Sequence, residues 1–429
     1  MLGALVNAFR IPDLRKKILF TLFIIVLYRI GSYIPVPGIP FHALADSFNS
    51  TTAAGGSMAL LNLFAGGALS YFSVFCLGIM PYITASIIMQ LMQGVIPSVS
   101  QWAKQGEIGR KKITNVTRWM TLIIAFFNAL GYLMLFKSQS YGIVLNTEGL
   151  PGEWLTNIII VATMVIGCAL IMWMGELITQ RGVGNGMSLI IFANIVSGMP
   201  GAILSSLQLE HYGVAVTILI IVVTLALIPA IVLVERAQRR IPVNYAKRVS
   251  GRRVMGGTST YIPLKVNAAG VIPIIFASAL IYFPAQLSAI FGDVHWLRVV
   301  ADALTNGWIN WLVTLGLIIF FTYFYSSMVF NPENTADQLR QNGGFIPGVR
   351  PGNATINYIR NVIRRVSLPG SIYLALIAVI PSIIFYFTGN MLVSTLGGTS
   401  ILIMVGVGLD TMSKVESQLK MHNYEGFFK

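Results

Sequence analysis

Four histidines, His42, His211, His295 and His422, are the first residues to test for chemistry, and none stands in a pattern that performs any. No H-E-x-x-H pair offers two imidazoles to a zinc ion from one helical face. No G-x-S-x-G elbow presents a serine nucleophile, and no Ser/His pair shares an apolar segment. Gly182-Val183-Gly184-Asn185-Gly186 has the glycines of a phosphate loop, but it lacks the G-K-[ST] ending and no strand precedes it. It reads instead as a tight turn and helix N-cap. Cys76 and Cys168 fall inside apolar runs, where they pack as small hydrophobes without a disulfide or metal pattern. Arg29, Glu176 and Asp410 lie in or at the edge of apolar runs, where charge is costly and usually functional. Three scattered charges make no connected proton relay, so structural roles are favoured for all three. The sequence predicts no catalytic residue, no metal and no cofactor.

The elements that would position such residues follow from composition. A chain of 429 residues, 55% hydrophobic and 10% charged, is not a soluble globular domain. Apolar runs near 18–37, 73–96, 117–136, 155–175, 187–207, 214–234, 267–291, 308–330, 370–389 and 399–416 approach or exceed the roughly 20 residues that cross a bilayer. Backbone groups in lipid must be satisfied within their own segment, so these are helices. Barrel strands would be half as long and would alternate in polarity. The expected fold is an all-α polytopic membrane protein of ten transmembrane helices in two inverted five-helix halves, residues 1–207 and 208–429. Residues 1–17 are basic and amphipathic, and the full-length apolar run after them has no cleavage site, which predicts no cleaved leader.

Charge then orients the bundle. Of 29 Lys and Arg, 26 fall on one side, in the termini, in alternate gaps or at the adjoining ends of the runs; the opposite gaps hold only Lys137 and Arg298, and Arg29 lies within the first span. Positive charge resists translocation, which puts both termini in the cytoplasm. Two inner gaps, 235–266 and 331–368, are longer and more basic than orientation requires. The first alternates Ile, Val and Tyr with polar residues around a Gly-centred turn, as a β-hairpin does. An isolated hairpin is marginal in water, so this one is expected to lean on something. The second gap is too rich in Pro and Gly at 345–352 for a helix, and residues 354–366 then read as helical and basic. Such surplus charge fits the docking of an acidic or RNA-containing partner, and it also fits the anchoring of anionic lipids. Residues 60–69 form an apolar run about half the spanning length, which reads either as a packed re-entrant loop or as a movable stopper hinged at Gly66-Gly67.

Six stretches carry a resemblance. Gly66-Gly67-Ala68-Leu69-Ser70 is followed by Leu77-Gly78-Ile79-Met80-Pro81-Tyr82-Ile83, and then by Arg181-Gly182-Val183-Gly184-Asn185-Gly186-Met187-Ser188. After them come Gln238-Arg239-Arg240 with Val243-Asn244-Tyr245-Ala246-Lys247-Arg248, then Leu264 to Pro273, then Phe345-Ile346-Pro347-Gly348-Val349-Arg350-Pro351-Gly352. Together they resemble the SecY/Sec61-alpha family of protein-conducting channels, in its bacterial form, over about residues 10–425. The resemblance implies a multi-pass subunit of the bacterial plasma membrane that passes unfolded secretory chains across it and releases apolar segments sideways into lipid. It implies an aliphatic constriction ring at Ile79, Ile83, Met187, Ile191, Ile275 and Ile403, with Met187 in place of the usual β-branched residue. It implies a plug at about 57–70, including Leu60, Asn62, Phe64, Gly66 and Gly67. A lateral gate would lie among the second, third, seventh and eighth spans, with a polar cluster of Thr84, Asn128 and Asn267. SecA ATPase and the ribosome would dock on Arg239, Arg240, Lys247, Arg248, Arg252, Arg253 and Arg350. SecE, SecG and signal-sequence-bearing preproteins are the other implied partners. The alternative readings are a small-solute secondary transporter, which broken helices and inverted halves also suit, and an intramembrane enzyme, for which the sequence offers no site.

Overall fold

The computed structural model describes residue 9 and residues 11–37, 65–137, 152–207, 213–245, 248–250, 253–255, 259–290, 294–305, 307–330, 332–388 and 397–425. Helices dominate. In chain order they are α1 (Pro12–Gly31), α2 (Met80–Val95), α3 (Pro97–Lys104), α4 (Glu107–Lys137), α5 (Glu153–Arg181), α6 (Gly186–Leu207) and α7 (Gly213–Arg236). After a β-rich insertion come α8 (Ile272–Ile290), α9 (His295–Thr305), α10 (Gly307–Val329), α11 (Pro332–Gln341), α12 (Asn353–Thr388) and α13 (Gly398–Glu425). Pro12, Pro81 and Pro97 open the first three, where a proline's missing N–H has no intrahelical partner to lose. Five stretches among the described residues are long and apolar enough to cross a membrane: Glu107–Met134, Trp154–Arg181, Ile218–Arg236, Gly307–Gln341 and Asn353–Ile384. Gly186–Gly201 and Ile272–Ile281 are shorter apolar helices.

Two boundaries differ from the sequence reading. The second span was expected to be helical from 73, and the half-helix to run to about 70, yet 65–79 is a chain of turns and α2 begins only at Met80. Gly66, Gly67 and Gly78 sit at φ +68°, +84° and +56°, and Phe72 at +43°, so a right-handed helix cannot pass through them. The turns are pinned to the segment that follows α1: Val36 N–H donates to Phe72 O at 3.0 Å and Val74 N–H to Ile34 O at 2.9 Å. The second difference is at 353–388, where the basic helix and the ninth apolar run are one continuous helix through Pro369.

The helices share one hydrophobic core that reaches from Ile24 to Val407. α4 packs against α2 and α5, α5 against α1 and α6, and α13 against α6, α7 and α12. α8 closes the bundle by touching α2 and α4 on one side and α10 on the other. Phe276 of α8 meets the edges of Phe321 and Tyr325 of α10, with ring centroids 5.6 and 6.4 Å apart.

The insertion is β-structure. β1 (Gln238–Tyr245) runs antiparallel to β4 (Ser259–Lys265), with Ile241 opposite Ile262, and β2 (Arg248–Ser250) pairs with β3 (Arg253–Met255) at the tip. β5 (Gly344–Phe345), from the other inner gap, adds to the free edge of β1. Alternation turns Ile241, Val243 and Leu264 inward onto Leu339, Ile346 and Ile359. The hairpin therefore leans on α11 and the start of α12, elements of its own chain. Gly344 is required there: a Cβ would stand 2.9 Å from the Tyr245 ring and 3.3 Å from Leu339 and Val243.

Candidate functional site

Ile79 is the N-cap residue of α2, and Ile83 N–H donates to its carbonyl one turn later. Met187 and Ile191 occupy the first turns of α6, Ile275 the first turn of α8, and Ile403 the second turn of α13. These six side chains are 1 to 8% exposed and all belong to the same core cluster. Two glycines seat the methionine: a Cβ on Gly175 would stand 2.4 Å from Met187 Sδ, and one on Gly186 would stand 1.9 Å from Gly175 O. Asn185 Oδ1 accepts from Met187 N–H at 3.1 Å and so caps α6 at the residue where it enters the core. Residues from four helices thus belong to the one hydrophobic core of the bundle.

The helices corresponding to the second, third, seventh and eighth spans are α2, α4, α8 and α10, and they adjoin one another. Gly94 near the end of α2 faces Phe324 of α10, which a Cβ would approach to 3.3 Å. Within this group, Thr84 Oγ1 donates to Met80 O at 3.1 Å, inside its own helix. Asn267 Nδ2 donates to Glu235 Oε1 at 2.6 Å and to Gly270 O at 3.1 Å. Asn128 is half-buried on α4. The hydrogen bonds of Thr84 and Asn267 thus run to other partners than the cluster expected from sequence. Glu235 was missed there; its signal was a carboxylate at the inner end of a long apolar run.

The three charges near the apolar runs all have partners. Arg29 Nη1 donates to Gly66 O at 2.8 Å and its guanidinium stands 5.7 Å from the Tyr33 ring centroid. Glu176 of α5 accepts two bonds from Arg118 of α4, one of them from Nε at 2.8 Å and the other from Nη2. Asp410 pairs with Lys414 at 2.8 Å on the exposed face of α13. Of the expected plug residues, Leu60, Asn62 and Phe64 lie outside the described residues. Gly66 and Gly67 are described, and Gly66 is the one held by Arg29.

On the β-platform, Arg239, Arg240 and Arg350 are exposed. Arg240 stacks over Tyr261 at 4.8 Å, which holds its guanidinium flat on the outer face of the sheet. Arg248 and Arg253 lie in the paired tip strands, Arg253 opposite Ser250, while Lys247 and Arg252 lie outside the described residues. Cys76 and Cys168 are free and buried. Among the described residues no group of three or more His, Cys, Asp or Glu is gathered to hold a metal.

Comparison with known proteins agrees with this geometry. The sequence profile of the SecY family matches residues 73–412. The protein translocase subunit SecY of Mycobacterium tuberculosis is 46% identical over 443 aligned positions, covering 100% of both chains. The solved structure of a protein-conducting channel superposes with a TM-score of 0.63 at 19% identity, over 94% of this chain and 91% of that one. The canine Sec61 of a ribosome–channel complex superposes with a TM-score of 0.60 at 18% identity, again over 94% and 91%. By its profile and its full-length relatives, the chain belongs to the SecY family.

Proposed function

We propose that this chain is the channel subunit of a protein translocase in the bacterial plasma membrane, a passive and gated path for unfolded secretory polypeptides. One observation carries the reading: Ile79, Ile83, Met187, Ile191, Ile275 and Ile403, brought in by four helices, are all buried in the one hydrophobic core of the bundle. At rest this ring seals the membrane. The segment about 57–70 stoppers the outer side, and Arg29 holds its inner-sequence end through Gly66 O. Apolar segments leave between α2 and α4 on one side and α8 and α10 on the other, past Thr84, Asn128 and Asn267.

The chain supplies no catalysis; the work comes from a docked engine. The arginines of the β-platform, with Arg350 foremost, form the surface for SecA or the ribosome. The canine relative is seen in a ribosome complex. SecE and SecG complete the assembly. None of the proposed site residues is a carboxylate, which separates a channel from an ion-coupled transporter.

A vesicle assay decides between them. Proteoliposomes containing the chain with its partner subunits should import a preprotein only with SecA and ATP. Ion-driven uptake of a small solute, with no such import, would overturn the proposal.

A further inference from the structure

We propose that the cleft between α10 and α12 seats the phosphate of one anionic phospholipid, whose acyl chain lies along α12. The cleft measures about 650 Å³ and is lined by Tyr323, Asn361, Arg364, Arg365 and Leu368. Four of these five residues donate hydrogen bonds and none is acidic. Asn361, Arg364, Arg365 and Leu368 follow at spacings of three, one and three residues, so they share one face of α12. Two planar guanidinium forks, a carboxamide and a phenol suit the oxygens of a phosphodiester.

The local charge is open for such a ligand. Arg360, one turn earlier, stands 3.7 Å from Glu333. Arg364 and Arg365 have no ion-pair partner among the described residues. Two unpaired cations beside an apolar span attract an anion of the inner leaflet.

The helix then says which kind of anion. Leu368, Ile372, Leu376, Ile380 and Ile384 are spaced four residues apart and each is 42 to 50% exposed. They form one ridge of α12. Leu368 belongs both to the cleft and to the ridge, and Arg364 lies one step below it on the same row. Cation first and aliphatic track after is the order of a lipid's own parts. A free phosphate or an RNA backbone would use the arginines and leave the ridge idle. Tyr323 on α10 supplies the amphipathic ring common at headgroup level. The inference needs the chain to span a membrane and is independent of what passes through it.

The test uses the full chain, with its partner subunits, in nanodiscs of phosphatidylcholine with a minor fraction of phosphatidylglycerol. Native mass spectrometry after mild detergent extraction counts the lipid that stays. Wild type should keep one phosphatidylglycerol in preference to phosphatidylcholine, and Arg364→Gln with Arg365→Gln should weaken retention on the order of a hundredfold. Leu368→Asp, which leaves both arginines in place, should weaken it too, while Arg110→Gln on α4 should not. A diazirine-tailed phosphatidylglycerol should label α12 between 368 and 384 in the unmutated chain, a readout that no folding defect can confuse. Labelling only elsewhere, equal retention by the double variant, or equal retention of phosphatidylcholine would each overturn the proposal. Displacement by millimolar inorganic phosphate would assign a free-anion site instead. Loss of RNA binding in the double variant with lipid retention unchanged would give the arginines to a nucleic-acid backbone.

Discussion

Replacing Ile403 by Asn puts a carboxamide where the side chain is 1% exposed, inside the hydrophobic core to which Ile79, Ile83, Met187, Ile191 and Ile275 also belong. The closed state loses an isoleucine burial worth about 1.5–3 kcal/mol. It also acquires an amide whose donors and acceptor lack partners, at a further cost of about 1–3 kcal/mol. In a wetted, open ring the isoleucine gains nothing and the amide is hydrated, so the whole difference falls on the closed state. A shift of about 3 kcal/mol or more changes the closed-to-open ratio on the order of a hundredfold. Ile403→Val removes one methylene group and should cost only about 0.5–1.5 kcal/mol. Ile401→Asn is the sharper control. Ile401 is equally buried on the same helix but is not one of the six, so its variant should lower stability without opening the ring. The assay is potassium leak from vesicles, paired with import of a preprotein carrying a weakened signal sequence. Ile403→Asn should leak and should accept the weakened signal. Unchanged leak, or an equal leak from Ile401→Asn, would refute the placement of Ile403 in the constriction.

Three further substitutions probe other parts of the molecule. Arg29→Met releases Gly66 O, so a cysteine placed at Ser70 should react faster with a membrane-impermeant maleimide; Arg29→Lys should lie between the two, and an unchanged rate would deny the contact any holding role. Arg350→Glu should cut SecA- or ribosome-dependent transport several-fold while insertion and ion tightness stay normal, and normal transport would return that charge to lipid anchoring. Gly344→Val overpacks the platform core beside Tyr245 and Leu339, a cost of about 1–3 kcal/mol. Limited proteolysis should then cut 238–265 faster with the leak unchanged, and a protected platform would contradict the packing described.

The sequence was most legible where chemistry repeats. Alternating Ile241, Val243 and their polar neighbours announced a hairpin, and β1 and β4 form it. What it leans on was hidden, because Leu339, Ile346 and Ile359 lie about a hundred residues further on and each looks like an ordinary apolar residue in its own segment. The start of α2 was misjudged although its signals were present: Gly78 and Pro81 stop a helix on one side and start it on the other. Pro369 acts in the opposite direction: a proline usually ends a helix in water, yet α12 continues through it with tertiary support from α10 and α13. For the six aliphatic residues, spacing alone gave ordinary core. Only the resemblance set them apart, because no local pattern distinguishes a buried isoleucine that must stay from one that must move aside.

The unbroken course of α12 has a mechanical consequence. Its 36 residues make a rod of about 54 Å, whose first turns are built into the platform with Ile359 and whose remainder stands among the bundle helices beside α10 and α13. Torque applied to the platform has no slack linker in which to dissipate. Pro369 and Pro381 each remove one backbone hydrogen bond, giving the rod one compliant joint near the base of the apolar stretch and a second twelve residues further on. A body that grips the platform thereby holds the short arm of a lever whose long arm lies in the membrane.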